Sequence, residues 1–369
     1  MKTVSVSLED RSYDINIGSG ILSNLGSLVS KVVPNSKYFF VLDDNIETTH
    51  GIQALQSFDE EVNACSLTAL ESNKTIDSIQ AIWSAMLEHG CDRLCPVIAV
   101  GGGLVGDVGG FAAATFMRGV PLIQVPTTLL AMVDASIGGK TGVNLTVERI
   151  DGSKVLGKNL AGSFWQPNLV VSDVETLKTL DDRQFRCGLA ECVKHAMLGH
   201  DDLMSYIQKN VESILGRDSE TMVELVSQSA AIKAEIVSND EREQGNRALL
   251  NFGHTFAHAI EPLPELSLFH GEAVSIGICA AVSCAEVIGL VDSDDVDKTR
   301  ELLTKLGLPT RLPIPVAIGE LINLMKKDKK NVDSTLRLVL PSTDGVIIVD
   351  SVDSGSIGLA WASVGASSS

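Results

Sequence analysis

Pro96-Val97-Ile98-Ala99-Val100-Gly101-Gly102-Gly103-Leu104-Val105-Gly106-Asp107 decides the fold. A short apolar run is stopped by a glycine cluster and followed by a helix-opening segment. That pattern predicts a buried strand feeding a helix through a tight turn. Glycines at 101, 103 and 106 formally fit G-x-G-x-x-G, in which the backbone approaches a pyrophosphate near the positive end of a helix dipole. The usual dinucleotide fingerprint also wants an acid about 20 residues on, at the end of the next strand. Here that strand ends Val125-Pro126-Thr127-Thr128, with no acid. Asp43-Asp44-Asn45, which closes the earlier run Tyr38-Phe39-Phe40-Val41-Leu42, is the alternative seat for an adenosine ribose. Taken alone, the glycine motif has a second, less favoured reading as a tight turn with no ligand.

Outward from this stretch, residues 76–89 have helical spacing, and 122–126 and 169–171 read as further strands. Strands alternating with helices predict a parallel sheet with helices on both faces. From about Leu177 helical patterns dominate, over 183–198, 221–238, 255–260 and 271–288. Two late strands are expected at 336–340 and 345–349. The 369 residues suit two domains at roughly 150 residues each. The expected division is an α/β domain over 1–178 and a mostly α-helical domain over 179–369.

Hydrophobic residues make up 44% and charged residues 21%, a globular composition that excludes a disordered or fibrous chain. The net charge is −18, from 29 Lys+Arg against 47 Asp+Glu. A surface that acidic argues against non-specific nucleic-acid binding. Seven cysteines without a C-x-x-C pair suggest reduced thiols and a cytoplasmic setting. No signal peptide or membrane span is expected.

Of the seven His, three fall between 254 and 270. His254 and His258 lie one helical turn apart, and His270 precedes Gly271-Glu272. Glu191 sits on a predicted helix with Lys194 and His195. A His₂Glu set with an open position is a catalytic zinc pattern. On spacing alone His195 and His258 compete for ligand places. Against an acidic background, Arg118, Lys140, Lys158, Lys194, Lys233, Arg247 and the run Lys326-Lys327-Asp328-Lys329-Lys330 stand out. Gathered in one cleft they would bind phosphate and carboxylate. Gly138-Gly139-Lys140-Thr141 is not a P-loop, because the upstream glycine position holds Asp134.

Together these motifs closely resemble the 3-dehydroquinate synthase family of the sugar-phosphate cyclases. The resemblance runs in family order from about residue 40 to 340. It is carried by Glu71-Ser72-Asn73-Lys74, Gly101 to Asp107, Phe116-Met117-Arg118-Gly119, Val125 to Asp134, Gly138-Gly139-Lys140-Thr141-Gly142, Leu156-Gly157-Lys158-Asn159, Phe164-Trp165-Gln166-Pro167, Glu191-x-x-Lys194, Asp240-Glu241-Arg242-Glu243, Arg247 to Thr255, His258, His270-Gly271-Glu272-Ala273 and Asp328-Lys329-Lys330.

The resemblance implies an NAD-binding α/β domain, a helical metal domain and an active site in the cleft. It implies NAD and one divalent metal, zinc or cobalt, held by Glu191, His254 and His270. Asp43, Asn45, Glu71, Lys74, Gly102, Gly103, Leu104, Asp107, Thr127, Thr128 and Lys158 match NAD contacts. Arg118, Asp134, Lys140, Asn159, Lys194, Lys233, Arg247, Asn251 and one or both of Lys329 and Lys330 match substrate contacts. Glu243 and His258 match a proton-handling pair, which leaves His195 a supporting place.

The implied activity is a step of the shikimate pathway of aromatic amino-acid biosynthesis. A seven-carbon keto-sugar acid phosphate undergoes transient oxidation, phosphate elimination, re-reduction, ring opening and aldol closure. A homodimer is the family-based expectation. Sister cyclases of the 2-deoxy-scyllo-inosose or valiolone type are the nearest alternatives, and a metal-dependent polyol dehydrogenase is a rival of different class. One departure is a stretch longer than usual between Asn144 and Leu156, read as a surface insertion. Cys187 and Cys192 on the metal helix are expected to have no role.

Overall fold

The computed structural model describes residues 1–148, 152, 154–243, 245–328, 336–343 and 345–368. Its strands are β1 (Lys2–Val6), β2 (Tyr13–Gly18), β3 (Lys37–Asp43), β4 (Glu61–Leu67), β5 (Val97–Gly101), β6 (Leu122–Pro126), β7 (Lys140–Glu148), β8 (Lys154–Phe164), β9 (Leu169–Asp173), β10 (Leu336–Ser342) and β11 (Gly345–Val352). The chain forms two compact units, Met1–Leu180 with Met222–Arg242, and Asp181–Thr221 with Glu243–Ser369. Among the described residues no helix is long and apolar enough to cross a membrane.

The first unit is built on a seven-stranded sheet in the order β1-β2-β9-β6-β5-β3-β4. All its pairings are parallel except β1 with β2. The predicted parallel sheet is therefore present. The antiparallel β1–β2 edge was not read from the sequence, because β1 is short, polar and largely exposed. β3 shows why the central strands are continuous apolar runs. Phe39 and Val41 enter one core cluster with Ile79, Ile82 and Val108, while Tyr38, Phe40 and Leu42 enter another with Leu22, Leu25 and Val29. A strand covered on both faces has no side left to be polar.

The connections from β3 to β4 and from β5 to β6 run outward in opposite directions, so the sheet has a switch point between β3 and β5. Ligands of open α/β sheets bind outside the carboxyl ends of the strands at such a point. The helix Gly103–Thr115 starts there, straight from β5. A side chain at Gly110 would collide with Thr141 of β7, so glycine lets this helix lie against the β7–β8 hairpin.

A single cut at 178 would send Met222–Arg242 to the second unit, whereas these residues cluster with the first. Their contacts explain it. Lys2 pairs with Glu224, Ser238 accepts from Ser7 N, and Glu241 accepts from Arg11 and Gln166. These partners lie far away in sequence, so helical periodicity gave no sign of them.

In the second unit the helix His270–Val287 is buried nearly all round, as a central core helix must be. The helix Asp182–Met197 buries every residue from Cys187 to Ala196, Glu191, Lys194 and His195 included. A Cβ on Gly271 would collide with the Cys187 backbone, so glycine is required where these two helices meet. The expected late strands are β10 and β11, paired antiparallel. All seven cysteines are free.

Candidate active site

The first unit places most of the cofactor candidates at the carboxyl ends of its strands. Asp43 ends β3, and its Oδ1 accepts from Asn45 N at 3.0 Å and Asn45 Nδ2 at 2.8 Å. Gly101 ends β5 against Asp43, since a Cβ on Gly101 would lie 3.1 Å from Asp43 Cβ. Gly102 likewise packs on Thr128, which follows β6. An acid at the end of the neighbouring strand β3 thus lies beside the glycine turn.

Asp107, on the helix opened by that turn, receives the Lys74 ammonium at 2.5 Å. Burial pushes the Asp107 carboxyl above its ordinary range, and Lys74 opposes that shift. Lys74 Nζ also donates to Asn159 Oδ1 at 2.5 Å.

Next to this group lies a cavity of about 600 Å³ lined by Asp107, Asp134, Lys140, Asn159 and Lys233, among others. Lys233 is buried and donates to the Asp134 carboxylate at 2.6 Å. The cavity therefore gathers two ammonium groups beside two carboxylates, a lining for an anionic, hydroxylated ligand. Arg118 is exposed, sits on a turn with positive φ and does not line this cavity. Lys158 is exposed as well and lies outside the lining.

The second unit brings together Glu191, His254 and His270, whose ligand atoms all lie within 4.8 Å of one another. His258 is outside this set and exposed; its ring packs edge-on against His254 at 5.5 Å. His195 is fully buried on the same helix, and its ring too offers a ligand atom within 4.8 Å of one on Glu191.

Both imidazoles are oriented by an acceptor at Nδ1. For His254 it is Phe252 O at 3.2 Å, and for His270 it is Glu261 Oε2 at 3.0 Å. Their Nε2 atoms then turn toward Glu191 Oε1, at 3.5 and 3.4 Å. Two imidazole nitrogens, one carboxylate oxygen and a second layer of acceptors behind the rings fit a divalent metal of the zinc type.

Electrostatics agree with that donor set. Glu191 is fully buried, yet Lys194, His254 and His270 hold its carboxyl well below the ordinary range. Burial lowers His254 to about 4, which leaves it a neutral ligand. Burial opposes protonation of His270 too, but hydrogen bonds to Glu191 and Glu261 raise it to about 10.

Around this set, Lys194 pairs with Glu191, Arg247 is buried, and Asn251 Nδ2 donates to Glu243 Oε1 at 3.3 Å. Lys329 and Lys330 lie outside the described residues. The segment read as an insertion extends the β7–β8 ladder instead of looping free, from Leu145–Gly157 to Glu148–Lys154. Its described β7 residues from Thr146 to Glu148 are exposed.

Two supports of the histidine set were missed by sequence reading. Glu261 orients His270 from nine positions away, a spacing with no local signature. Arg183 makes a forked bond to Glu272, at 2.7 and 2.6 Å, reaches Ser267 O and stacks 3.9 Å over the Phe269 ring. It thereby clamps the turn that carries His270, and no spacing in the sequence links 183 to 270.

Comparison with known proteins agrees with this geometry. The profile of the 3-dehydroquinate synthase N-terminal family matches residues 64–187, and that of the C-terminal family matches 188–331. The 3-dehydroquinate synthase of Acinetobacter baylyi is 40% identical over 353 residues, covering 95% of this chain and 94% of the relative. Two solved structures superpose over nearly the whole chain. One is 2-epi-5-epi-valiolone synthase from Streptomyces hygroscopicus subsp. jinggangensis 5008, with NAD⁺ and Zn²⁺ bound (TM-score 0.85, 28% identity, 97% of this chain and 98% of that one). The other is 2-deoxy-scyllo-inosose synthase complexed with carbaglucose-6-phosphate, NAD⁺ and Co²⁺ (TM-score 0.84, 25% identity, 97% and 98%). The chain belongs to the 3-dehydroquinate synthase family.

Proposed function

We propose that the protein converts 3-deoxy-D-arabino-heptulosonate 7-phosphate to 3-dehydroquinate and inorganic phosphate. The observation that carries this choice over the sister cyclases is identity. The chain is 40% identical to a curated 3-dehydroquinate synthase, against 28% and 25% to the valiolone and inosose enzymes. When bound, NAD supplies a hydride acceptor that is restored within the turnover, and a divalent metal supplies Lewis acidity at a ring oxygen.

The chain's own residues have distinct tasks in this proposal. Glu191, His254 and His270 hold the metal. The Gly101–Gly103 turn, Leu104, Thr127 and Thr128 let the cofactor approach the sheet edge. Asp43, Asn45, Glu71, Lys74, Asp107 and Lys158 fix its polar groups.

Lys140 and Lys233 line the cavity of the first unit and suit a phosphate that must be held and then released. The Asp134 carboxylate keeps Lys233 in place without excess positive charge. Lys194 and Arg247 suit the carboxylate; a buried guanidinium stays charged and offers a planar fork. Arg118, Asn159 and Asn251 complete the polar contacts, as do Lys329 and Lys330. His258, exposed beside His254, relays a proton, and Glu243, oriented by Asn251, is its partner.

The test is phosphate release from the heptulosonate phosphate with catalytic NAD⁺, with and without EDTA, while absorbance is followed at 340 nm. Many phosphates per NAD⁺, loss with EDTA and no NADH build-up are expected. No phosphate release from folded, metal-loaded protein would refute this substrate. Accumulating NADH would instead mark a dehydrogenase.

A further inference from the structure

The β7–β8 hairpin is not a regular ladder. Pairing runs from Lys140–Phe164 to Val143–Ala161 and resumes from Leu145–Gly157 to Glu148–Lys154. Between these stretches one residue of β7, Asn144, faces Lys158, Asn159 and Leu160 of β8. Extra residues on one strand make a β-bulge, a device that re-aims side chains near functional sites. This bulge carries a cofactor candidate, Lys158, next to a substrate candidate, Asn159. Asn159 has φ +54, in the left-handed region, so surrounding contacts must hold it there.

Asn144 makes those contacts. It is 4% exposed and uses three polar groups. Its Oδ1 accepts from Asn159 N at 2.9 Å, in place of the ladder bond that the bulge breaks. Its Nδ2 donates to Glu71 Oε1 at 2.7 Å. Its backbone N donates to Lys74 O at 2.8 Å. The loop is closed by Lys74 Nζ, which donates to Asn159 Oδ1 and to Asp107 Oδ2. One side chain thus ties the bulge to the Glu71–Lys74 turn.

The residue type follows from these bonds. The position needs an acceptor toward Asn159 N and a donor toward Glu71 on one short planar group. Aspartate keeps the first but sets a carboxylate against Glu71. Alanine loses both of these part-buried bonds.

We propose that Asn144 is a positioning residue that sets the Lys158-Asn159 bulge and the Glu71 carboxylate in one arrangement, so that cofactor-contacting and substrate-contacting groups are placed together. Its functional consequence rests on the assignment of Glu71, Lys74, Lys158 and Asn159 in the proposed function.

The experiment uses the full chain with four variants: Asn144→Ala, Asn144→Asp, Glu71→Gln and the double substitution Asn144→Asp with Glu71→Gln. Two readouts are taken, hydrogen exchange at the Asn159 amide and NAD⁺ affinity by calorimetry. Asn144→Ala is expected to lose Asn159 protection and to bind NAD⁺ about tenfold or more weakly. Asn144→Asp should keep the protection yet bind NAD⁺ more weakly, because two carboxylates face each other. In the Glu71→Gln background Asn144→Asp should cost little further affinity, a rescue of its effect, since the new carboxamide can donate to the new carboxylate and restores the bond with its direction reversed. A merely structural role would not produce that rescue.

Wild-type protection at Asn159 in Asn144→Ala would overturn the proposal. So would a double variant that binds NAD⁺ as much more weakly than Glu71→Gln as Asn144→Asp does than the wild type. A wild-type chain that binds no NAD⁺ would refute the cofactor assignment instead, and the exchange readout would still decide whether Asn144 sets the bulge.

Discussion

Glu261 accepts a hydrogen bond from His270 Nδ1 at 3.0 Å, and this turns His270 Nε2 to within 3.4 Å of Glu191 Oε1. A carboxylate behind an imidazole fixes the ring and its tautomer and raises its strength as a ligand. Removing it should leave the fold and spoil the ligand. Glu261→Ala is therefore expected to bind zinc about 10–100-fold more weakly, measured by competition with a chromophoric chelator. Unchanged affinity with native circular dichroism would show that Glu261 does not orient the ligand.

The convergence of Glu191, His254 and His270 also predicts coupling between metal and stability. A ligand bound only by the native state adds about 2.7 kcal/mol at a hundred times its Kd. Zinc added to EDTA-stripped protein should raise the thermal midpoint by several degrees. Glu191→Gln should abolish that rise. A midpoint in the variant that still climbs with zinc would place the metal elsewhere.

Lys140 lines the first unit's cavity but not the glycine turn. Lys140→Ala is expected to weaken substrate binding about tenfold or more, while NAD⁺ affinity changes little. Calorimetry with each ligand separately checks this. Equal losses for both would move Lys140 out of the substrate set.

Cys279 and Cys284 are at most 1% exposed, and burial pushes both thiols from the ordinary 9.0 up to about 12. The native state keeps these protons where the unfolded chain releases them. Their contribution is complete below pH 9 and is lost as pH rises toward 12, on the order of 1 kcal/mol per pH unit for each thiol. Urea midpoints at pH 7.5, 9 and 10 should fall more steeply for the wild type than for the double substitution Cys279→Ala with Cys284→Ala. Parallel slopes would contradict this.

Local features were legible in the sequence because neighbours in the chain determine them. The run 96–100 and the glycines after it specify a strand, a turn and a helix through short-range sterics and hydrogen bonds, and β5 with the helix Gly103–Thr115 is the result. Helical periodicity likewise located the helices that carry Glu191 and His270.

The tertiary structure alone selected among chemically equal candidates. Nothing in the spacing gathered His254 and His270 around Glu191, left His258 exposed, or put Asp43 against Gly101. Those outcomes depend on packing between distant segments: Gly271 against Cys187, and Gly101 against Asp43. The return of Met222–Arg242 to the first unit and the bulge opposite Asn144 are decided in the same way. One-dimensional pattern records which face of an element is buried. Which element covers that face, and which polar groups then meet, depends on close packing in three dimensions.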